Sequence, residues 1–301
     1  MRNYYIILIN FIFGSSFVFS QNYVDILKIN ASTTPFNTFD SSSVKTKINE
    51  FSGDLTLPVK VNDRLSVITG IIYEDIQTKI FADGAIKEFG STALKLGFNK
   101  QLNDKWSATG IVLPKIASDY SSIGNKDFQI GTIAVFKYKK RDNLNYKVGL
   151  YYNSELFGPF FVPMLGMYYQ SSNKKIEANI MLPLQADVNY KLNTFMNVGC
   201  NFNGQIRSYH LNDMTFQNKS TYVTKSTNEL YAYLKFNFTN SISLQTKVGQ
   251  SLGRSYRVYD ENDQVTFGLP LKFVGPKRQQ LNSDFSDGMI YQVTLLYRLN
   301  L

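Results

Sequence analysis

Only one histidine, His210, occurs in this chain, inside Arg207-Ser208-Tyr209-His210. A hydroxyl beside an imidazole is the minimum equipment for acyl transfer: a serine nucleophile and a base that takes its proton. His210 is therefore the candidate for a lipid-acting hydrolase or acyltransferase. The opposing expectation is a solvated residue at the edge of a polar loop, Tyr209 to Lys225. Zinc chemistry lacks a ligand set, because His210 and the lone Cys200 are the only soft donors. Asp260, Glu261 and Asp263 are the one acidic run suited to calcium, and in a polar loop they read as solvated. No catalytic residue, metal or cofactor is assigned. Phosphate loops and nucleic-acid modules are absent from the sequence, so no nucleic-acid partner is expected.

A second group of reactive side chains is spread along the chain. Lys95, Lys147, Glu177, Tyr231, Tyr233, Lys235, Gln245, Lys247 and Arg298 stand between residues of the apolar phase, in which Thr246 is the one polar member. Period two is the signature of a strand with one apolar and one polar face. If the apolar face meets lipid, these nine line an interior that is basic and rich in tyrosine. Such an interior attracts anionic or amphipathic small solutes by electrostatic focusing. The alternative is that they pair with one another and plug a narrow barrel.

The elements that must position them follow the same rhythm. Tyr291, Val293, Leu295, Tyr297, Leu299 and Leu301 alternate with Gln292, Thr294, Arg298 and Asn300, leaving Leu296 as the exception. Leu230 to Phe238, Ile242 to Val248, Ile176 to Leu182 and Leu144 to Tyr152 repeat the pattern. Alternation that runs to the last residue needs a ladder to hold that end, and a closed barrel provides one without a free edge.

Composition agrees. Charged residues are 18 % and aromatics 15 %, with 20 Tyr and 23 Phe; soluble domains carry about 25 % charged residues. Beyond the first twenty residues no apolar run reaches the ~18 residues of a membrane helix. Arg2, the apolar run Tyr4 to Phe13 and Val18-Phe19-Ser20 form an export signal cleaved before Gln21. The organisation is thus a signal peptide over residues 1–20 and one barrel domain over 21–301. The net charge of +9 is carried by dispersed Lys and Arg. The one cluster, Lys137 to Arg141, suits anionic lipid head groups.

Connections alternate in length. Short polar turns fall at Asn62-Asp63, Asn103-Asp104, Arg141-Asp142-Asn143, Ser172-Asn173-Lys174, Asn193-Thr194 and Thr239-Asn240-Ser241. Asn62-Asp63-Arg64-Leu65-Ser66 is echoed by Asn103-Asp104-Lys105-Trp106-Ser107, a repeat of one hairpin unit. Long loops are expected at Ser32–Ser43, Gln77–Glu88, Ala117–Lys126, Tyr209–Lys225 and Asp260–Asp287. Short turns on one side and long loops on the other are the habit of outer-membrane barrels. Splitting Lys175–Lys191 at Pro183 gives an even count of fourteen strands and brings both termini to one side, whereas leaving it whole puts them on opposite faces; twelve strands is the alternative count. The expected fold is all-β: a transmembrane, antiparallel, up-and-down β-barrel.

The Ser-Gln cleavage site, the Asn-Asp-Lys-Trp-Ser turn, the Tyr-rich strands and the terminal Leu-Leu-Tyr-Arg-Leu-Asn-Leu resemble uncharacterised outer-membrane barrel proteins of Bacteroidota. The resemblance spans the mature chain, although the last residue is Leu301 where barrel assembly signals commonly have Phe. It implies a location and a fold, with no activity to carry over. The partners expected are outer-membrane lipids, lipopolysaccharide and, through the last strand, the barrel-assembly machinery.

Overall fold

The computed structural model describes residues 23–216 and 219–300; the expected signal peptide over residues 1–20 and Leu301 lie outside these. Strands β1 (Tyr23–Thr38), β2 (Lys45–Asn62), β3 (Leu65–Thr78), β4 (Lys87–Gln101), β5 (Trp106–Ser118), β6 (Phe128–Arg141) and β7 (Leu144–Glu155) follow in order. Then come β8 (Gly158–Gln170), β9 (Ile176–Leu182), β10 (Gln185–Lys191), β11 (Met196–Phe216), β12 (Lys219–Asn237) and β13 (Ile242–Ser251). Three short strands, β14 (Ser255–Asp260), β15 (Phe267–Leu269) and β16 (Lys272–Val274), precede β17 (Met289–Asn300).

Neighbours from β1 to β13 pair antiparallel, and β17 pairs with both β13 and β1. The result is a closed barrel of fourteen strands, β1–β13 and β17. The turn at Leu182–Gln185 separates β9 from β10 as the proline implies, since proline is tolerated at strand ends. Tyr23 faces Asn300 and Thr33 faces Tyr291 across the closing seam. One end of the barrel carries both described termini and the short turns; it is called the turn end here, and the opposite end the loop end.

Alternation places the apolar phase outside. Val59, Leu96, Val148, Leu234, Val248 and Val293 are all exposed. A folded chain does not present so continuous an apolar surface to water. Rings gather at the turn end of this surface, where Trp106 meets Tyr138 at 5.0 Å and Phe195 meets Phe236 at 5.8 Å. Among the described residues no helix is long and apolar enough to cross a membrane.

Two expected loops are strands instead. Ser32–Thr38 continues β1, because its threonines and asparagine find partners on β2: Thr33 donates to Asn49 at 3.0 Å and Asn37 to the Thr46 carbonyl at 3.2 Å. The stretch Tyr209–Lys225 is the larger correction. It forms the far halves of β11 and β12, which leave the wall and cross the interior. There β12 pairs with β14, and the His210 carbonyl accepts from the Asp119 N–H beyond β5 at 3.0 Å. This internal blade is buried on both faces, so period two is masked. One face packs Tyr209, Leu211, Val223 and Val258 against Ile76 and Phe89. The other packs Tyr222 and Tyr259 against Phe157, Val162 and Met164. Together the two clusters fill the loop end of the barrel.

Candidate functional site

Below those apolar clusters the blade meets a layer of buried charge. The Glu74 carboxylate accepts from Arg207 at 2.5 Å, Tyr209 at 2.8 Å and Lys225 at 3.0 Å. Lys225 reaches Glu50 at 2.9 Å, which also accepts from Tyr256 at 2.6 Å. Arg254 pairs with Glu229 at 3.2 Å, and Lys115 lies 3.7 Å from Glu155. Every cation here has a carboxylate, as charges excluded from water require. Glu50 and Glu74 stand on the inward phase of β2 and β3 and were not among the expected lumen residues, and nothing local marks their partners. Lys225 lay in an expected loop, and Arg254 follows a turn.

The nine side chains expected in the lumen belong mostly to the turn-end half. Lys95 bonds Asp54, and Thr56 at 2.6 Å. Arg298 bonds Asp25 at 2.6 Å and lies over the Tyr23 ring, whose hydroxyl meets Glu177 at 2.5 Å. Lys147 donates to Asn179 at 2.8 Å. Tyr231 donates to Glu229 at 2.8 Å, and Tyr233 to Asp187 at 3.0 Å.

Lys235 and Lys247 differ from these. They are 7 % and 4 % exposed, and among the described residues neither is in an ion pair, a lack that Lys147 shares at a less buried position. Lys247 has only a long contact to Asn201, at 3.4 Å, and the faces of Tyr231 and Tyr233 at 5.6 and 5.8 Å. Gln245 faces Lys235 across the β12–β13 ladder. Carboxylates act on both lysines only from beyond ion-pair distance: Asp25, Glu177 and Asp187 on Lys235, and Asp187 and Glu229 on Lys247. Two glycines hold the tyrosines in place. A Cβ on Gly249 would stand 2.3 Å from the Tyr231 ring, and one on Gly199 2.4 Å from Tyr233. Each ring therefore lies flat on the opposite glycine, and both flank the Lys247 ammonium.

Between the paired and unpaired layers lies a cavity of about 370 Å³. Its wall on β1–β3 and β12 is polar, with Lys28, Asn30 and Ser52 beside the carboxylates of Glu50, Asp54, Glu74 and Glu229. Its wall on β5–β8 is apolar, with Leu113, Ile133, Tyr151 and Phe160. The site can hold a ligand that presents opposite chemistry to opposite walls.

His210 is not the solvated loop-edge residue expected of it. Only 6 % exposed, it sits within the blade with Nδ1 2.8 Å from Asp127 Oδ1. Ser208 is engaged elsewhere: its hydroxyl donates to Glu155 at 2.6 Å and accepts from the Leu156 N–H. The imidazole Nε2 is buried without a hydrogen bond. A serine nucleophile bonded to its base is therefore not assembled here. Asp260, Glu261 and Asp263 also go separate ways, Glu261 to Lys126 and Asp263 to the Gln279 N–H at 2.5 Å.

Two carboxylates outside the wall fasten the loop end. Burial pushes Asp287 up, but the N–H groups of Arg254 (2.9 Å) and Gly253 (2.7 Å) outweigh it and hold the carboxyl below its ordinary value. Asp119 behaves alike: burial is outweighed by the Asp213 N–H at 2.9 Å and by Ser121.

Fold and site together define a closed, fourteen-stranded antiparallel β-barrel with an apolar outer surface and a charged, partly filled interior. The chain belongs to the family described as a domain of unknown function, DUF6268, which it matches over residues 17–282. Comparison with curated proteins gives no match. Among solved structures it is similar in shape to the COG4313 outer membrane channel from Pseudomonas putida F1, with a TM-score of 0.47 and 10 % identity over 91 % of this chain and 93 % of that one. A Pseudomonas aeruginosa FadL homologue gives 0.39 and 10 % over 90 % and 89 %, and the NanC porin 0.37 and 9 % over 91 % and 100 %. At such scores the likenesses carry no information about substrate.

Proposed function

We propose that this protein is an outer-membrane barrel that binds and passes small anionic or amphipathic solutes. The observation that carries this is the pair of buried cations Lys235 and Lys247, which have no ion pair among the described residues, while the equally buried Lys225 and Arg254 each have a carboxylate; Tyr231, over whose ring Lys247 lies, lines the cavity. A charge kept in a low-dielectric interior without a partner is costly unless a ligand or water supplies one. In this reading residues 1–20 are a cleaved export signal, the turn end faces the periplasm and β17 is the strand offered to the barrel-assembly machinery. Lipid and lipopolysaccharide surround the wall, and the Bacteroidota resemblance gives the source.

Conductance of the purified protein across planar bilayers is the test. The wild type should show anion preference, and Lys235→Glu with Lys247→Glu should abolish or reverse it. Absence of any channel, together with no anion binding to the wild type, would sink the proposal. A structural or adhesive barrel is the second reading, favoured by the apolar clusters that fill the loop end. It expects no conductance, and a function residing in the connection 261–288.

A further inference from the structure

The barrel wall is not of even height. β9 and β10 have seven residues each, whereas their outer neighbours β8 and β11 have 13 and 21. The β8–β9 ladder stops at Leu165↔Leu182, and the β10–β11 ladder at Gln185↔Asn203. One further bond, from the Gly204 N–H to the Leu184 carbonyl at 2.8 Å, closes the tip. Above it β11 turns inward to build the blade, so Gly158–Met164 of β8 loses a wall partner on that side. The β15–β16 segment covers the start of this edge through the Phe160↔Gly268 bridge, the Val265 N–H to the Phe157 carbonyl at 2.8 Å and the Phe273 ring against Phe157. Two residues of the edge, Pro159 and Pro163, are of the type tolerated at strand edges because it has no N–H to leave unpaired.

What fills the rest of the break, next to the β9–β10 tip, is side chain and not backbone ladder. Met181, Leu184 and Ile206 pack there against Val162 and Met164. Leu184 and Ile206 also line the cavity, on its apolar side. Around the rest of the wall neighbouring strands are hydrogen-bonded, and towards the loop end stand the charge layer and both apolar clusters. Side chains move aside in nanoseconds, while opening a ladder breaks a row of bonds.

We infer that the cavity exchanges its ligand sideways with the bilayer, through the break above the β9–β10 hairpin, and not through the loop end. The ligand class is a small amphipathic molecule, with its polar or anionic head towards Lys28 and Asn30 and its apolar body towards Ile133, Tyr151 and Leu184. This rests on the solute-binding reading above. A purely polar ion would have no reason to take this route, since hydrocarbon excludes it.

The experiment uses the full chain in phosphatidylcholine vesicles, with 11-(dansylamino)undecanoate loaded into the membrane as probe. Tyr151→Trp in a Trp106→Phe chain places an energy donor in the cavity wall, and transfer to the dansyl group reports arrival. Leu184→Arg sets a cation in the break and should slow arrival about tenfold or more. Leu184→Ala widens the break and should speed it. Phe285→Ala, which loosens the loop end, should leave the rate unchanged. Heat-modified gel mobility checks that each variant is a closed barrel; if Leu184→Arg is not, Leu184→Ala decides. Unchanged rates in the folded Leu184 variants with a faster Phe285→Ala would overturn the lateral route and leave solute binding intact. Failure of the probe to bind, in a protein that conducts anions, would overturn the amphipathic ligand alone. Neither probe binding nor conductance would remove the solute-binding reading itself.

Discussion

Lys225→Met is the sharpest perturbation of the layer that divides the barrel. The ammonium is 0 % exposed and bonds Glu50 at 2.9 Å and Glu74 at 3.0 Å. Methionine matches the aliphatic stem, so the change removes charge with little volume. Removing one member of a buried ion pair costs about 3–5 kcal/mol, because the remaining charge loses its compensation. Glu74 keeps Arg207 and Tyr209, whereas Glu50 keeps only the Tyr256 hydroxyl. The loss should therefore lie nearer ~3 than ~5 kcal/mol, and most of it should trace to Glu50. Urea unfolding of the protein in detergent micelles, followed by tyrosine and tryptophan fluorescence, measures it. Glu50→Gln combined with Lys225→Met should recover part of the loss, with a coupling of about 1–3 kcal/mol. In planar bilayers the single variant should also conduct more, because the blade is tied to the wall through these bonds. A loss below ~1 kcal/mol with no coupling to Glu50 would refute the idea that this layer holds the blade.

Three other outcomes are expected. Gly249→Ala drives a methyl into the Tyr231 ring, 2.3 Å from the new Cβ; it should cost ~1–3 kcal/mol in the same unfolding assay and weaken anion preference. Asp287 has a depressed carboxyl, so its contribution is present above the ordinary carboxylate range and vanishes as pH falls through the lowered value. Proteolysis of the connection 252–288 should accordingly rise only in strong acid for the wild type, and already at neutral pH for Asp287→Asn. Deleting Tyr297–Leu301 removes the Tyr297 pairings to Leu27 and Ile242; the truncated chain should fail to reach the heat-modifiable, membrane-inserted form, and normal insertion would contradict the seam.

Much of the barrel is written locally. A strand facing lipid on one side and a polar interior on the other must alternate, so Val59, Leu234 and Val293 declare the outside and Lys95, Lys235 and Lys247 the inside. Asn-Asp turns mark the turn end, and Pro183 divides β9 from β10, because proline and turn residues act through their own backbone. Alternation also told which residues face inward at the site, including Tyr231 and Tyr233. It could not tell that Lys95 has a carboxylate while Lys247 has two rings, since those partners come from other strands.

The blade was illegible for a related reason. Tyr209–Leu211 and Thr221–Lys225 are buried on both faces, and polar side chains of the blade are matched by groups far along the chain: Ser208 by Glu155, His210 by Asp127, Lys225 by Glu50 and Glu74. Read alone, Ser, His, Asn, Thr and Lys in succession are a loop. Only when the barrel closes does the interior offer the carboxylates that let them be buried. The sequence by itself determined a wall with two faces and fourteen strands. The tertiary structure alone decided that two of those strands leave the wall, fill the loop end and open a break above β9–β10, because backbone and charge can be buried there only by partners the closed barrel brings together.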